Sequence, residues 1–104
     1  MASTDRVFPA LANPVRRQLL EILSRQPLSA GKFSERFALR RPAVAEHLKV
    51  LRDAGLVVDE PLGRQRIYRL TAEPLVQLDE WLHPFEKFWR ARLADLAEVA
   101  EELE

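Results

Sequence analysis

Three observations predict the fold class. Two amphipathic helical segments are separated by a three-residue connection, an arginine-rich strand–turn–strand pattern follows directly behind them, and a long helical tail carries apolar residues spaced 4, 3, 4 and 3 apart. Together they predict a mainly α fold with a small β-hairpin, a winged helix-turn-helix dimerising through its terminal helices. At 104 residues the chain suffices for one modest core and is too short for two. Residues 1–70 are expected to form the winged helix-turn-helix unit and residues 71–104 the dimerisation helices, together one compact domain.

Prolines and capping residues mark the elements. In "TDRVFPALANP", Thr4 or Asp5 is expected to cap a short helix whose apolar residues are Val7, Phe8 and Leu11. In "NPVRRQLLEIL", Asn13 is a favourable N-cap and Pro14 occupies the favoured first helical position, with Leu19, Leu20 and Leu23 as the buried stripe. Ser29 caps a third helix, "AGKFSERF", in which Phe33 and Phe37 lie on one face. A connection through Ala38, Leu39 and Arg40 leads into a fourth helix, about residues 42–54, with Val44, Leu48 and Leu51 facing inward and Gly55 ending it.

In "LVVDEPLGRQRIYRL", residues 56–60 and 66–70 read as paired strands, with Pro61, Leu62 and Gly63 as the turn. The tip and return strand carry Arg64, Arg66 and Arg69. Thr71 is a candidate cap for the helical remainder, which Pro84 should kink or split. Along the tail, Trp89, Leu93, Leu96, Ala100 and Leu103 form a coiled-coil-like seam. Phe8, Leu11, Phe85, Phe88, Trp89, Leu93, Leu96 and Leu103 are therefore expected at a dimer interface, the alternative being a tail folded back on its own core.

The formal net charge of zero hides a division. Residues 1–70 hold 13 Lys/Arg against 7 Asp/Glu, a net of +6, whereas residues 71–104 hold 3 against 9, a net of −6. The basic part suits a polyanion, which would repel the acidic part. The absence of cysteine rules out disulfides, thiolate metal sites and cysteine nucleophiles. No apolar run approaches a membrane span and no signal-peptide core is present, so a cytoplasmic protein with no membrane partner is expected.

The opening "ALANPVRRQLLEIL", the helix "RPAVAEHLKVLRDAGLV" and the following "GRQRIYRL" resemble, in that order and at compatible spacings, the ArsR/SmtB family of winged helix-turn-helix repressors, in particular members without the cysteine metal site. The resemblance runs from about Phe8 to Leu70 and fits the family's dimerisation helix more loosely. It implies a homodimer that binds a double-stranded DNA operator and represses by blocking polymerase. Family members often carry Gly where Ala38 stands and Ser where Arg40 and Ala45 stand. A non-glycine residue in left-handed space costs about 1 kcal/mol, so the turn at Ala38 is expected to close differently.

On the fourth helix, the inward stripe leaves Pro42, Ala43, Ala45, Glu46 and Lys49 exposed, with Arg41 at its start. Arg41, Ala43, Ala45 and Glu46 are the expected base-reading residues. Arg41 suits guanine or a phosphate, Glu46 suits cytosine N4 or a pair with Lys49, and the alanines suit a thymine methyl. Lys32, Arg36, Arg40 and Lys49 are expected on phosphates, and Arg64 and Arg66 on the minor groove or adjacent backbone as the wing. Arg69 is the candidate for a salt bridge to the domain body, and the polar face bearing Arg16 and Arg17 is read as either solvated or DNA-facing.

Arg40 stands where a helix start calls for an oxygen. Uncapped N–H groups beside Arg40 and Arg41 therefore form an anion site suited to phosphate. His47, beside the buried stripe, reads as a half-buried packing residue. Asp79, His83 and Glu86 lie near one another on the tail, but one histidine per chain and an intervening Pro84 argue against a tight zinc site, so no metal and no cofactor is expected. No catalytic constellation is present, so an enzyme is not expected. Trp81 and Trp89 are read as core or interface anchors. The rival readings are a winged-helix protein-interaction module and a metal-responsive repressor using Asp79, His83 and Glu86; no effector is identifiable.

Overall fold

The structure, a computed structural model, describes residues 2–103, with side chains over residues 5–103. In chain order its elements are α1 (Ala2–Leu11), α2 (Pro14–Leu23), β1 (Leu28–Ser29), α3 (Ala30–Phe37), α4 (Arg41–Asp53), β2 (Val57–Leu62), β3 (Gln65–Leu70) and α5 (Glu73–Leu103). The strands form an antiparallel sheet in the order β1-β3-β2.

One core joins the helices to the sheet. Val7 and Ala10 of α1, Leu19, Leu20 and Leu23 of α2, Phe33 of α3, and Val44, Leu48 and Leu51 of α4 pack with Leu56, Val57 and Tyr68. The expected inward stripes of α2 and α4 are the buried ones. His47 is half-buried, as its place beside that stripe implies.

Local chemistry sets the boundaries. Asn13 caps α2, its Oδ1 accepting from the N–H groups of Val15 at 2.8 Å and Arg16 at 3.1 Å. Ser29 caps α3 by accepting from the Lys32 N–H at 3.3 Å. At the end of α4, Gly55 takes φ +77° and the Leu56 N–H reaches the Leu51 carbonyl, closing a Schellman turn. The end of α3 has the same geometry without glycine. Ala38 sits at φ 52°, ψ 36°, and the Leu39 N–H bonds the Ser34 carbonyl. The turn is therefore not closed differently, as the missing glycine suggested. Alanine accepts the left-handed conformation because Leu39, one residue on, is drawn against the core, and the Ser34 hydroxyl holds the Leu39 carbonyl.

Several expectations are corrected. α1 begins at Ala2, so Thr4 and Asp5 lie within it rather than ahead of it. α5 begins at Glu73, so Thr71 is not its cap; the Thr71 N–H instead bonds the Leu56 carbonyl, extending the sheet edge by one bond. The hairpin turn is Gly63-Arg64, since Pro61 pairs with Arg66 and Leu62 with Gln65. Gly63, at φ +63°, supplies the positive φ that a type II′ turn needs at its first central residue. Pro61 is tolerated in β2 because that strand is at the sheet edge and needs no outward N–H donor. The hairpin gains a third strand, β1, through Leu28↔Tyr68 and Ser29↔Ile67.

α5 is one helix of 31 residues, which Pro84 does not split. It spans about 46 Å at 1.5 Å per residue. The proline removes one donor, and on this exposed stretch water is available to the freed carbonyl. Only Pro74 of α5 is buried. Its first turns pack on the core through Leu75 and Leu78, but the rest of the helix runs on away from it: the radius of gyration is 17.8 Å, against the roughly 13 Å expected for a compact chain of this length. No helix among the described residues is long and apolar enough to cross a membrane.

Candidate nucleic-acid interface

The helix-turn-helix pair α3–α4 is braced from behind by the "NPVRR" segment. Arg16 donates from Nε to the Ala10 carbonyl at 2.7 Å and from Nη2 to the Pro9 carbonyl at 3.1 Å, while Arg17 Nη1 reaches the Leu11 carbonyl at 2.7 Å. These carbonyls belong to the last turn of α1, where the α-helical donors run out; the Pro9 carbonyl also accepts from the Ala12 N–H at 3.2 Å, and positive charge is favourable at a helix C-terminus. Arg16 Nη1 also lies 3.3 Å from His47 Nδ1, tying α1 to α4. The two arginines therefore serve the architecture, Arg16 half-buried and Arg17 exposed to solvent beside its bond. No local sequence pattern reveals that role, because it depends on how α1 ends against α2.

Arg40 is the N-cap residue of α4, with extended backbone (φ −69°, ψ 148°) and no side-chain capping bond. The first turn of α4 carries no acidic residue. Among the described residues, Arg36, Arg40, Arg41 and Arg64 have no carboxylate partner. Lys32 is offset by Glu35 at 3.9 Å and Lys49 by Asp53 at 3.7 Å, both on exposed helix faces where such pairs contribute little. Lys49 thus pairs with Asp53 rather than with Glu46. Ala45 and Glu46 are exposed and Ala43 is half-buried on the outward side of α4.

Arg41, Arg64 and Arg66 gather at the start of α3. With Ser29, Ala30, Gly31 and Gln65 they line a concavity of about 180 Å³. The Arg41 guanidinium lies beside Gly31, where a Cβ would sit in ordinary contact, 3.6 Å from Nη2. Arg41 is thereby turned toward the wing and the Ser29-capped beginning of α3. In the hairpin, Arg66 Nη1 donates to Asp59 Oδ2 at 2.9 Å, and Arg69 Nε donates to Glu60 Oε1 at 2.9 Å. Arg69 therefore pairs across the hairpin itself and not to the domain body.

The opposite end of the molecule is apolar and acidic. Phe8 meets Trp81 edge-on at 5.2 Å between ring centroids, and Trp81 meets Phe85 at 5.1 Å. Trp81, Phe85, Phe88, Trp89, Leu93, Leu96, Val99 and Leu103 are nonetheless exposed, Leu103 by 83%. Leu11 is partly buried against the chain's own core and is the least available of the residues expected at an interface. Arg92 lies 5.4 Å from the Phe88 ring centroid.

Asp79, His83 and Glu86 do not converge: no group of three metal-capable side chains is found among the described residues. Glu86 is engaged by Arg90 Nε at 2.6 Å, a bond that holds its carboxyl below the usual carboxylate range, and by His83 Nδ1 at 3.5 Å.

Comparison with known proteins agrees with this architecture. A sequence family described as a helix-turn-helix domain matches residues 11–60. The chain is similar to the HTH-type transcriptional regulator Rv2034 of Mycobacterium tuberculosis, 38% identical over 99 residues that cover 95% of this chain and 90% of that protein. Among solved structures, it is similar to an ArsR-like transcriptional regulator from Rhodococcus sp. RHA1, with a TM-score of 0.72, 32% identity, and coverage of 95% and 93% of the two chains. It is also similar to the homodimeric winged helix-turn-helix DNA-binding domain Mb0332 from Mycobacterium bovis, described as a possible ArsR-family regulator, with a TM-score of 0.65, 25% identity, and coverage of 82% and 84%.

Proposed function

The chain belongs to the ArsR/SmtB family of winged helix-turn-helix transcriptional regulators, and we propose that it is a homodimeric repressor that grips an operator through the concave side formed by α3, α4 and the β2–β3 wing. The observation that carries this reading is the gathering of Arg41, Arg64 and Arg66 around the start of α3, next to the outward face of α4. Free backbone N–H groups, the positive helix end and guanidinium forks suit the same ligand, a backbone phosphate.

In this reading Arg40, Arg36, Lys32 and Lys49 bind phosphates along the flank of α4, and Arg64 at the wing tip follows the adjacent minor groove. Ala43, Ala45 and Glu46 face the base edges. Arg41, expected from the sequence to read guanine, is assigned instead to phosphate because its guanidinium is turned back beside Gly31. Phosphate contacts fix register and supply the salt-sensitive part of affinity, while the short outward face of α4 reads sequence.

The second copy docks on α1 and α5. Burying one large apolar side chain from full exposure stabilises by about 1.5–3 kcal/mol, so the partly exposed set from Phe8 to Leu103 offers a gross gain comparable with the whole stability of a typical small domain, about 5–15 kcal/mol. A two-fold pair then presents two α4 helices to successive major grooves about 34–36 Å apart. The acidic end of α5, with Asp95, Glu98, Glu101 and Glu102, faces away from the polyanion. Occupying a promoter in this way excludes polymerase.

Selection from a randomised 40-base-pair duplex library tests the reading. The expected product is a sequence with two half-sites about one helical turn apart, bound with an affinity that falls steeply with salt. Recovery of no sequence, together with salt-insensitive binding, overturns it.

A further inference from the structure

We infer that Asp59 is a positioning residue for DNA recognition, whose carboxylate presets the Arg66 guanidinium at the concave surface and anchors the wing to the last turn of α4. This rests on the DNA-binding reading above. Asp59 lies on β2 opposite Tyr68, one pleat from the Pro61↔Arg66 pair, on the face of the hairpin that carries the buried Val57 and Tyr68. Its side chain is 11% exposed, whereas those of its two partners, Arg66 and Arg52, are 57% and 45% exposed. The oxygen Oδ2 accepts from Arg66 Nη1 at 2.9 Å and lies 3.4 Å from Arg52 Nη1. Arg52 belongs to the last turn of α4.

Considered as charge alone, a carboxylate beneath a DNA-facing surface opposes binding, since it offsets a cation and repels phosphate. Its geometry gives it the opposite effect. A guanidinium carries five donors in a rigid planar fork. Fixing Nη1 on Asp59 sets the plane of that fork, and the remaining donors, Nε and Nη2, have no protein partner among the described residues. Arg66 also lines the concavity with Arg41 and Arg64. An arginine held in place before binding surrenders less conformational freedom when it meets a phosphate. The weaker Arg52 contact adds a second anchor, so the wing is referenced to the helix that reads the bases. An operator of defined shape requires that reference, whereas random DNA does not.

The test is a double-mutant cycle of Asp59→Ala and Arg66→Ala. Affinities are measured for the duplex that the wild-type chain selects from a randomised library and for a random-sequence duplex of equal length. Losing a charge-assisted hydrogen bond predicts that Asp59→Ala weakens the selected duplex about tenfold. The random duplex should be bound as well as before or more tightly, so the specificity ratio falls although the surface has become more positive. In the Arg66→Ala background the same change should produce only a small further loss, that of the weaker Arg52 anchor, because Asp59 acts mainly through Arg66. Asp59→Asn keeps an acceptor oxygen at the same place, guards against a folding defect in the alanine variant, and should recover most of the specificity ratio.

Tighter binding of both duplexes by Asp59→Ala in equal measure overturns the inference, as does a loss that persists undiminished without Arg66. A wild-type chain that selects no duplex overturns the DNA-binding reading itself and this inference with it, and that result is seen before any variant is made.

Discussion

Replacing Arg40 by serine should move stability and DNA affinity in opposite directions. Arg40 has the extended backbone of an N-cap and no capping side-chain bond. Position 42 is proline, so the N–H of Ala43, the third helical residue, is the donor a serine oxygen would meet; it now makes only a tight bond to the Arg40 carbonyl at 3.0 Å. A good cap contributes about 1 kcal/mol. Removing a cation from the positive helix end adds a further 0.3–1 kcal/mol or so at a surface site. A net gain of about 1.5 kcal/mol should raise the melting temperature by roughly 6–12 °C.

Two phosphate contacts are lost per dimer, so the slope of log K against log salt should flatten by about 1.8, roughly thirtyfold in affinity at 0.15 M salt. Differential scanning calorimetry and fluorescence anisotropy over a salt series measure the two effects, with Lys87→Gln on α5 as the control that leaves the slope unchanged. A stabilised variant with the wild-type slope would remove Arg40 from the interface and refute the idea that the missing cap leaves room for phosphate.

Three further substitutions probe the supporting structure. Ala38→Gly should stabilise by about 0.5–1 kcal/mol in urea unfolding, since relief of left-handed strain outweighs the added freedom of the unfolded chain; destabilisation would mean that Ala38 is not left-handed. Arg16→Ala removes two charge-assisted bonds to the end of α1 and should cost about 1–3 kcal/mol, with the salt slope of DNA binding unchanged; a flattened slope would place Arg16 on the DNA. Leu93→Glu, at a position 61% exposed in the single chain, should halve the mass seen by sedimentation velocity while the far-ultraviolet circular dichroism retains the helices of the core. An unchanged dimer mass would locate the interface elsewhere.

The helical part of the fold is legible in the sequence because each start and stop is chemical. Asn13-Pro14, Ser29 and Gly55 fix three of the helix boundaries, and period-3.6 leucines fix the inward faces. β1 has no such signal, for two residues after Pro27 display no alternation, and they become a strand only because β3 arrives beside them. Pro61 suggests a turn until the sheet order places β2 at an edge. Thr71 looks like a cap, but its N–H is claimed by Leu56, and the helix starts two residues later.

The candidate site follows the same division. The uncapped, doubly basic start of α4 is visible in "LRRPAV". The turning of Arg41 toward α3, the capture of Arg66 by Asp59 and the structural use of Arg16 and Arg17 all depend on how neighbouring elements meet across a turn, which no periodic or capping pattern encodes. The same holds for Leu11, which the apolar pattern assigns outward and the core partly claims.

The most direct measurement is a map of NMR amide and arginine side-chain shifts on adding the selected duplex to the isotopically labelled chain. Changes are expected to concentrate at Gly31, Lys32, Arg40, Arg41, Ala45, Glu46, Arg64 and Arg66, with the signals of α5 beyond Arg92 unmoved. Changes centred on α5, or spread evenly over the basic residues including Arg16 and Arg25, would contradict that expectation.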